Sequence, residues 1–508
     1  MGMIFEHLFA LYSALIVYLS FWGSLKYIWI IPVFYVVALY MIKKIFGGGR
    51  RYSERFKSKK CEESPVSIKQ GVIWFLIIFL GHLFYWFAYF PGGFNLDALG
   101  QWDQAHGMMQ LNNWHPVLTT GIYWLLTRIE DSLAFCIGVQ IVVFSVTMVF
   151  ILLELGRRNI RQGFMWAIVL FVAVNPAIAM NNICLIKDVP FAILVCWTFW
   201  CYLKIDRTQG MWLQSRSHLC ITGIILLMLT LVRHNAIFFV IPLIFLMFLI
   251  YRKQRKYILE IAVVGLGILL FIEGPVFSVL KIEQHNNMVG EAVGVPMAAM
   301  ANALIDNPKE CPVETREFLL DIAGEREWKE HYITGEWDSC KWEFGGVELL
   351  KSESLGKIIS LLGKTAIKCP DEVYSSIREN TRVVWQVIGE CDWSTWIYIE
   401  KNEFGIREDY NKLCRGAAET LRDISEKFPM NMISWEVGPA IVLFFLCVIG
   451  LIQMNQRQSC IFIISLLYYD FMTMCLLCGP SFRYFYVNLI LVLPILAMVF
   501  GGDYAKEI

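Results

Sequence analysis

Residues 72–106 read VIWFLIIFLGHLFYWFAYFPGGFNLDALGQWDQAH, an apolar run that passes abruptly into a polar segment. The run stops at Pro91-Gly92-Gly93, where a helix must end because proline removes a backbone donor and glycine frees the backbone. A polar segment with acidic, imidazole and aromatic side chains at the end of an apolar helix favours a site for proton transfer and for binding a polar ring. The alternative is a solvated loop with tryptophans at a lipid interface. The residues concerned are Asp97, Trp102, Asp103, His106, Trp114 and His115.

The composition excludes an ordinary soluble protein. The 508 residues are 57% hydrophobic and 17% charged, with a mean hydropathy of +0.53, whereas soluble proteins carry about 25% charged residues. The apolar residues fall in long blocks, many near the length needed to cross a bilayer. We therefore predict an all-α polytopic membrane protein with membrane lipids, and no nucleic acid, among its partners.

Clusters of Lys and Arg indicate the orientation, because short cytoplasmic loops carry an excess of these residues. The strongest cluster runs from Lys43 to Lys60. It predicts a cytoplasmic N-terminus and an outward path for the helix at 71–90. Residues 117–128 are apolar but too short to span, so we expect an interfacial or re-entrant helix there. About twelve spans are predicted, at 5–21, 25–46, 71–90, 132–155, 164–180, 189–203, 218–232, 236–250, 257–275, 435–452, 459–478 and 484–500.

The segment from about 276 to 432 has no spanning run and mixes charge with Gly and Pro. Between 306 and 430 it holds 25 acidic and 17 basic residues, a balance that fits the external side. We predict a mostly helical external domain between the ninth and tenth spans, with helices at 316–330, 354–368 and 410–427. Its five cysteines permit up to two disulfides and identify none: Cys311, Cys340, Cys369, Cys391 and Cys414.

The predicted organisation therefore has four parts. They are two N-terminal membrane helices with a basic cytoplasmic loop (1–70), a membrane core whose first external loop is 91–131 (71–280), the external acidic domain (281–432) and three C-terminal membrane helices (433–508).

With this topology, many ionisable residues fall at the outer ends of helices. Charges at membrane depth cost several kcal/mol unless they are paired or hydrated, so we expect these residues to share a cavity. Cations there can hold a phosphate, a carboxylate can take a proton from a hydroxyl, and Trp102 or Trp114 can stack on a sugar. Single outer cations that reach lipid headgroups, and an interfacial anchor at Arg483-Tyr484, remain the alternatives. The set is Asp97, Asp103, His115, Lys187, Asp188, Arg233, His234 and Arg483.

The same motifs carry a family resemblance. An external loop with Asp97 and Asp103, followed by Asn-Trp-His-Pro at 113–116, resembles the first external loop of GT-C superfamily glycosyltransferases. The protein-O-mannosyltransferase-like members and related bacterial multi-pass families are the most similar. The pairs and triplets at 187–188, 233–235 and 483–484 are similar to later outer-loop motifs of that superfamily.

The resemblance implies a membrane glycosyltransferase that moves a sugar from a polyprenyl-phosphate-linked donor to an external acceptor, with inversion. It implies Asp97 as the catalytic base, with Asp103 as a second candidate, on the external face of a bacterial plasma membrane. A divalent cation, Mg or Mn, would be held by Asp97 and Asp103, but their spacing departs from the compact Asp-x-Asp of several members. Expected substrate-binding residues are Trp102, Trp114, His115, Lys187, Asp188, Arg233, His234, Arg483 and Tyr484.

Other functions stay open at this point. A transporter or flippase for a lipid-linked or anionic solute would also need polar groups within a helical bundle. An acyl or phosphoryl transferase could use His115 or His234. A structural membrane scaffold would need none of them.

Overall fold

The computed structural model describes residues 2–22, 24–47, 66–158, 160–284, 289–341, 343–345, 350 and 353–500. Within these ranges the regular structure is helical, without β-strands, and a few isolated β-bridges join loops. The prediction of an all-α protein is confirmed. Of the predicted basic cytoplasmic cluster, Lys43 to Lys60, residues 48–60 lie outside the described residues.

The first part of the chain forms two helices followed by a larger bundle. In order, the helices are α1 (Gly2–Phe21), α2 (Ile31–Gly47), α3 (Ile68–Ala88), α4 (Leu96–His106), α5 (Val117–Thr127), α6 (Leu133–Gly156), α7 (Gln162–Val174), α8 (Pro176–Asn182), α9 (Asp188–Arg207), α10 (Arg216–Val232), α11 (Ile237–Ile250) and α12 (Arg255–Phe271).

The second part contains shorter helices and then returns to apolar ones. In order, they are α13 (Gly294–Asp306), α14 (Val313–Leu320), α15 (Glu325–His331), α16 (Leu355–Lys368), α17 (Pro370–Trp385), α18 (Lys412–Ser425), α19 (Gly438–Gln453), α20 (Ile461–Met474) and α21 (Val487–Phe500). A 3-10 turn at Phe482–Tyr484 lies between α20 and α21.

Six helices of the described part are long and apolar enough to cross a membrane: Met3–Phe21, Leu25–Lys44, Ile68–Ala88, Leu133–Gly156, Asp188–Arg207 and Arg252–Val279. The pair α7 and α8 makes a seventh candidate, although the two helices are bent by 56°. The shorter apolar helices α10, α11, α19 and α21 lie where further spans were expected. The chain is thus a helical membrane protein, and the count of about twelve spans stays a prediction.

The bend between α7 and α8 has a local cause. Asn175 is extended and caps α8 through its side chain, which accepts a hydrogen bond from the Ile178 backbone nitrogen at 3.2 Å. Pro176 then occupies the first position of α8, where its missing N–H costs nothing. The residue before a proline is disfavoured in a helix, so the apolar run predicted as one span, 164–180, breaks here.

Helix α9 lies at the centre of the bundle. It packs against α6, α10 and α21, and 83% of its apolar stretch is buried. A helix of 20 residues is about 30 Å long. The first residue of α9, Asp188, and the last, Arg207, therefore lie about 30 Å apart at opposite ends of this buried helix.

The segment expected to be an external domain has a hydrophobic core of its own. The core forms around α13, with Trp328, Trp337 and Ile358 fully buried. Two of its predicted helices, 354–368 and 410–427, are confirmed as α16 and α18, whereas 316–330 is divided at Gly324 into α14 and α15. Residues from about Val383 onward pack on the larger core instead. The five cysteines of this segment are all free.

The loop that follows α3 is held between two other segments. The Gly93 backbone nitrogen donates to Ile183 O at 2.9 Å, and Gly93 O accepts from the Leu185 nitrogen at 2.9 Å. On the other side, the Phe94 nitrogen donates to Tyr398 O at 2.9 Å. This backbone pairing fixes the start of α4, and with it Asp97, against the N-terminus of α9.

Candidate functional site

The predicted site residues lie at the ends of helices that are far apart in the chain. Asp97 is in the first turn of α4, which Asn95 caps with its side chain. Asp188 is the first residue of α9, and a helix N-terminus favours a negative charge. Arg233 follows the last residue of α10, and Arg483 lies in the turn before α21. The fold brings these four charged side chains together.

Two carboxylates and two guanidinium groups alternate in this cluster. Arg483 Nη1 donates to Asp97 Oδ2 at 2.8 Å, and Arg483 Nε lies 3.9 Å from Asp188 Oδ2. Asp188 Oδ1 also forms an ion pair with Arg233 Nη1. The side chains of Asp97 and Arg483 are 32% and 27% exposed, whereas those of Arg233 and Asp188 are 6% and 0% exposed. The cluster therefore has an open outer pair and a buried inner pair.

The inner pair is fixed by its surroundings. Arg233 Nε donates to Asn235 Oδ1 at 2.6 Å, and Asn235 Nδ2 donates to Thr473 Oγ1 at 3.1 Å. The guanidinium of Arg233 lies over the ring of Phe191 at 5.3 Å and over that of Tyr484 at 4.3 Å. The edge of the Arg233 guanidinium is thus paired with Asn235 and Asp188, and its plane contacts the two aromatic rings. Arg233 therefore holds Asp188 and these rings in place.

A second polar group adjoins the open pair. Lys187 Nζ lies 2.8 Å from His115 Nδ1, and His115 Nε2 lies 3.9 Å from Asp97 Oδ1. His234 Nε2 lies 3.2 Å from the carbonyl oxygen of Asn113, so it positions the segment that carries His115. His115 thus faces the oxygen of Asp97 that Arg483 does not contact, and Lys187 lies behind His115 in this chain of contacts.

The electrostatics of the open pair follow from these distances. Burial by itself would raise the pKa of Asp97, but Arg483, Lys187 and His115 together hold that pKa well below its usual range. Burial and the charge of Lys187 lower the pKa of His115 to about 3, although Asp97 acts in the opposite direction. At neutral pH the site therefore contains an ionised carboxylate beside a neutral imidazole.

Two predicted residues of α4 lie elsewhere. Asp103 has Glu403 and His106 as its charged neighbours; burial and Glu403 raise its pKa. Trp102 is buried among other rings, including Phe94 and Tyr123, so its faces are covered by protein. Residues six apart on a helix point in different directions, which separates Asp103 from Asp97.

The remaining predicted residues surround the cluster. Trp114 is half-buried next to His115, and its backbone nitrogen donates to Asn112 Oδ1 at 3.1 Å. Tyr484 places its ring near both guanidinium groups, 4.3 Å from that of Arg233 and 5.3 Å from that of Arg483. The Tyr484 ring is therefore close enough to the open pair to contact a bound molecule, and Trp114 adjoins His115 in the chain.

The donor set does not fit a divalent cation. Mg²⁺ and Mn²⁺ take oxygen ligands, but Asp97 and Asp188 each face a guanidinium group that would repel a cation. In the described residues, no three His, Cys, Asp or Glu side chains are grouped so that they could hold a metal ion. Asp103, the expected second ligand, lies outside the cluster.

Two further residues near the cluster were not predicted as site residues. Asn235 belongs to the motif at 233–235, and its side-chain oxygen accepts a hydrogen bond from Arg233 Nε. Tyr398 belongs to an irregular segment and lies near the open pair; burial is the main cause of its raised pKa, with smaller effects from Asp97 and Arg483. Only the backbone pairing with Phe94 brings Tyr398 there, and no local pattern encodes that pairing.

One family model matches part of the chain. Residues 106–342 match the model of a family of unknown function, DUF6020. The matched range contains His115, Lys187, Asp188 and Arg233 but neither Asp97 nor Arg483. No curated protein matches the chain.

One solved structure is similar to the chain. It is the archaeal oligosaccharyltransferase AglB from Archaeoglobus fulgidus, in complex with an inhibitory peptide and a dolichol-phosphate. The identity is 11%, the TM-score is 0.39, and the similarity covers 85% of this chain and 50% of AglB. The chain thus spans half the length of AglB, and a TM-score this low does not establish a shared fold. The GT-C resemblance stays a prediction.

Proposed function

We propose that the chain is a membrane glycosyltransferase that moves a sugar from a polyprenyl-phosphate-linked donor to an acceptor on the external face of the membrane. The observation that carries this proposal is the open pair. Asp97 is ionised and 32% exposed, and Arg483 holds one of its two oxygens at 2.8 Å. A carboxylate and a guanidinium at one opening supply a proton acceptor and a phosphate ligand side by side.

The proposed step uses both groups. The acceptor hydroxyl transfers its proton to Asp97 while its oxygen forms a bond to the anomeric carbon. The bond from that carbon to the phosphate oxygen breaks, and the phosphate leaves with the electron pair. Attack from the face opposite the phosphate inverts the anomeric centre. A positioned carboxylate base contributes about 10²–10⁴ to the rate of such a step.

Arg483 is the group that we assign to the departing phosphate. It is the more exposed of the two arginines, 27% against 6% for Arg233. A guanidinium can bind a phosphate through two parallel hydrogen bonds. When the donor phosphate draws Arg483 toward itself, Asp97 loses part of the charge that lowers its pKa. Donor binding would therefore make Asp97 a stronger base.

The other residues support this reaction in proposed roles. Tyr484 would contact the sugar, since its ring lies beside the guanidinium of Arg483, and Trp114, next to His115 in the chain, is a second candidate for that contact. Arg233, held by Asp188 and Asn235, would keep Tyr484 and the N-terminus of α9 in place. The proposed location is the external face of a bacterial plasma membrane.

Transport of a lipid-linked or anionic solute is the second candidate, and two observations favour it. Transporters often contain broken helices, and α7 and α8 are bent by 56°. A fully buried acid, Asp470, also lies within α20, where it accepts a hydrogen bond from Asn488 Nδ2 at 2.9 Å. Buried acids inside membrane helices commonly mark ion pathways.

One assay separates the two candidates. Membranes containing the chain are supplied with polyprenyl-phosphate donors that carry radiolabelled sugars, and labelled products are separated from the donor. A new covalent product supports the transferase, and Asp97→Asn should lower its rate by about 10²–10⁴. Asp103→Asn is the matched control, because Asp103 lies outside the cluster, and it should retain the rate.

Two outcomes would contradict the proposal. Label that crosses proteoliposome membranes without forming a new bond would indicate transport. Equal transfer rates in the wild type and in a correctly folded Asp97→Asn variant would remove Asp97 as the base.

A further inference from the structure

The contact between Lys187 and His115 determines which nitrogen of the imidazole carries a proton. Lys187 Nζ lies 2.8 Å from His115 Nδ1, a hydrogen-bond distance. An ammonium group has donors and no acceptor, so Nδ1 must accept. A neutral imidazole has one donor and one acceptor nitrogen. The proton of His115 is therefore on Nε2.

That proton points toward the open oxygen of Asp97. His115 Nε2 lies 3.9 Å from Asp97 Oδ1, which is too long for a direct hydrogen bond. The other oxygen, Oδ2, is occupied by Arg483 at 2.8 Å. An oxygen atom that lies beside the line from Nε2 to Oδ1 can be about 2.8 Å from each atom, a normal hydrogen-bond length. A hydroxyl group beside this gap would accept from Nε2–H and donate to Oδ1, and so bridge the two side chains.

The charges around His115 keep it neutral. Lys187, Arg483 and His234 face the ring and oppose its protonation, and Asp97 alone favours it. Burial acts with the cations, since the side chain is only 12% exposed. A protonated His115 would instead attract Asp97 and close the gap.

We propose that Lys187 is a positioning residue that keeps His115 in its Nε2–H form, so that His115 and Asp97 together orient the acceptor hydroxyl. This inference rests on the proposed glycosyltransferase function. It gives Lys187 a different task from phosphate binding, which its cationic charge first suggested.

In the oriented hydroxyl group, the hydrogen and the two lone pairs each have a separate role. Its hydrogen points to Asp97 Oδ1, which receives the proton. One lone pair accepts the hydrogen bond from His115 Nε2–H, and the other attacks the anomeric carbon. The bond from that carbon to the donor phosphate breaks, and the phosphate keeps the electron pair. His115 retains its own proton throughout.

The test compares Lys187→Met, which has neither charge nor donor, with Lys187→Arg, which retains both. Transfer is measured from pH 5 to 8 with a radiolabelled polyprenyl-phosphate sugar at varied donor concentration. Without Lys187, the pKa of His115 rises, so the ring becomes protonated as the pH falls. We expect Lys187→Met to lose at least tenfold in kcat below about pH 6, with little change in donor KM. Wild type and Lys187→Arg should lack this acid-side loss.

A second readout does not depend on turnover. Diethyl pyrocarbonate modifies neutral imidazole, and mass spectrometry of the peptides reports His115 separately, with the exposed His331 as a reference for reagent dose. In the wild type, His115 should react equally at pH 5.5 and 7.5. In Lys187→Met, its reaction at pH 5.5 should fall several-fold.

The outcomes separate this inference from the proposed function. Identical labelling of His115 in wild type and Lys187→Met at pH 5.5 would overturn the inference. A raised donor KM with an unchanged pH profile would overturn it too, because Lys187 would then be a phosphate ligand. If the wild type transfers no sugar, the proposed function fails and the catalytic role of this contact fails with it, whatever the labelling shows.

Discussion

At the scale of single residues, the open pair joins two tasks that conflict electrostatically. Arg483 stabilises the ionised form of Asp97, which guarantees a charged carboxylate but weakens it as a base. In the proposed reaction, a donor phosphate that competes for the guanidinium would relieve this conflict. The exposure of both side chains is what makes such competition possible, because a bound phosphate can reach Arg483 without unfolding the inner pair.

Replacing Arg483 should change both the rate and its pH dependence. We expect Arg483→Gln to lower transfer by about 10²–10³, the usual effect of removing one group that stabilises developing charge. Because the pKa of Asp97 then rises, the acid limb of the remaining activity should move to higher pH. Arg483→Lys should recover part of the rate through its charge. A pH profile of Arg483→Gln that coincides with the wild type would contradict the pairing with Asp97.

The buried inner pair predicts a different effect, on stability. Removing one partner of a buried pair leaves an unpaired charge and costs about 3–5 kcal/mol. Asp188→Asn and Arg233→Met should each lower the melting temperature in detergent strongly, and the double variant should be more stable than the sum of the two effects predicts. Arg326→Gln, which breaks the exposed pair with Glu330, is the control and should change stability by less than about 0.5 kcal/mol. Strictly additive losses would argue against a coupled pair.

At the scale of elements, the site depends on how closely the loop after α3 approaches the segment before α9. A Cβ on Gly93 would lie 2.6 Å from Cys184 Sγ. A Cβ on Gly92 would lie 2.6 Å from Ile183 O, and Gly92 also has φ of +121°. Glycine is therefore required by the backbone pairing that sets the position of Asp97.

This close approach makes a testable contrast between two glycines. Gly93→Ala should destabilise the protein by about 1–3 kcal/mol, as overpacking does, and should reduce transfer because α4 is displaced. Gly100→Ala, in the same loop-and-helix unit, adds a methyl group with no atom within 4 Å. Within α4 that change should be neutral or stabilising by up to about 1 kcal/mol. Equal melting temperatures for the two variants would contradict the packing described.

At the scale of the whole molecule, Glu436 lies at the junction between α17 and α19. It is fully buried, and its Oε1 accepts hydrogen bonds from Gln386 Nε2 at 3.1 Å and from Asn431 Nδ2 at 3.4 Å. Burial raises the pKa of Glu436 to about 8, although Gln386 and Arg382 oppose the shift. The side chain is therefore protonated when the protein is folded at neutral pH.

The buried Glu436 makes the free energy of unfolding depend on pH. The folded pKa lies above the unfolded one, so Glu436 holds an extra proton in the folded state between those two values. The contribution of Glu436 to the free energy of unfolding thus declines as the pH rises toward about 8. The decline is at most about 1.4 kcal/mol per pH unit. The melting temperature of the wild type should fall between pH 6 and 9, and that of Glu436→Gln should fall less. Glu403→Gln, on an exposed side chain, is the control; parallel curves for wild type and Glu436→Gln would contradict the prediction.

Some elements could be predicted from local pattern, and others could not. Helix α16 was predicted, and the structure shows a recognisable local start, since the Ser354 side chain caps it. Helix α13 was missed because nearly all of its residues are buried, so it shows no polar face and no helical period. Helix α17 was also missed, although Pro370 at its first position with Asp371 and Glu372 in its first turn is a recognisable start.

The sequence by itself determined the membrane character and most helix positions. The reason is that the free energy of transferring an apolar segment from water into a membrane depends on the residues of that segment alone. The sequence also showed which polar residues stand at helix ends. Only the tertiary structure decided the partners: Arg483 with Asp97, 386 residues away, Arg233 with Asp188, and Lys187 with His115, with Asp103 left outside. Such pairs depend on how whole helices pack and where each side chain then points, which no local stretch of sequence specifies.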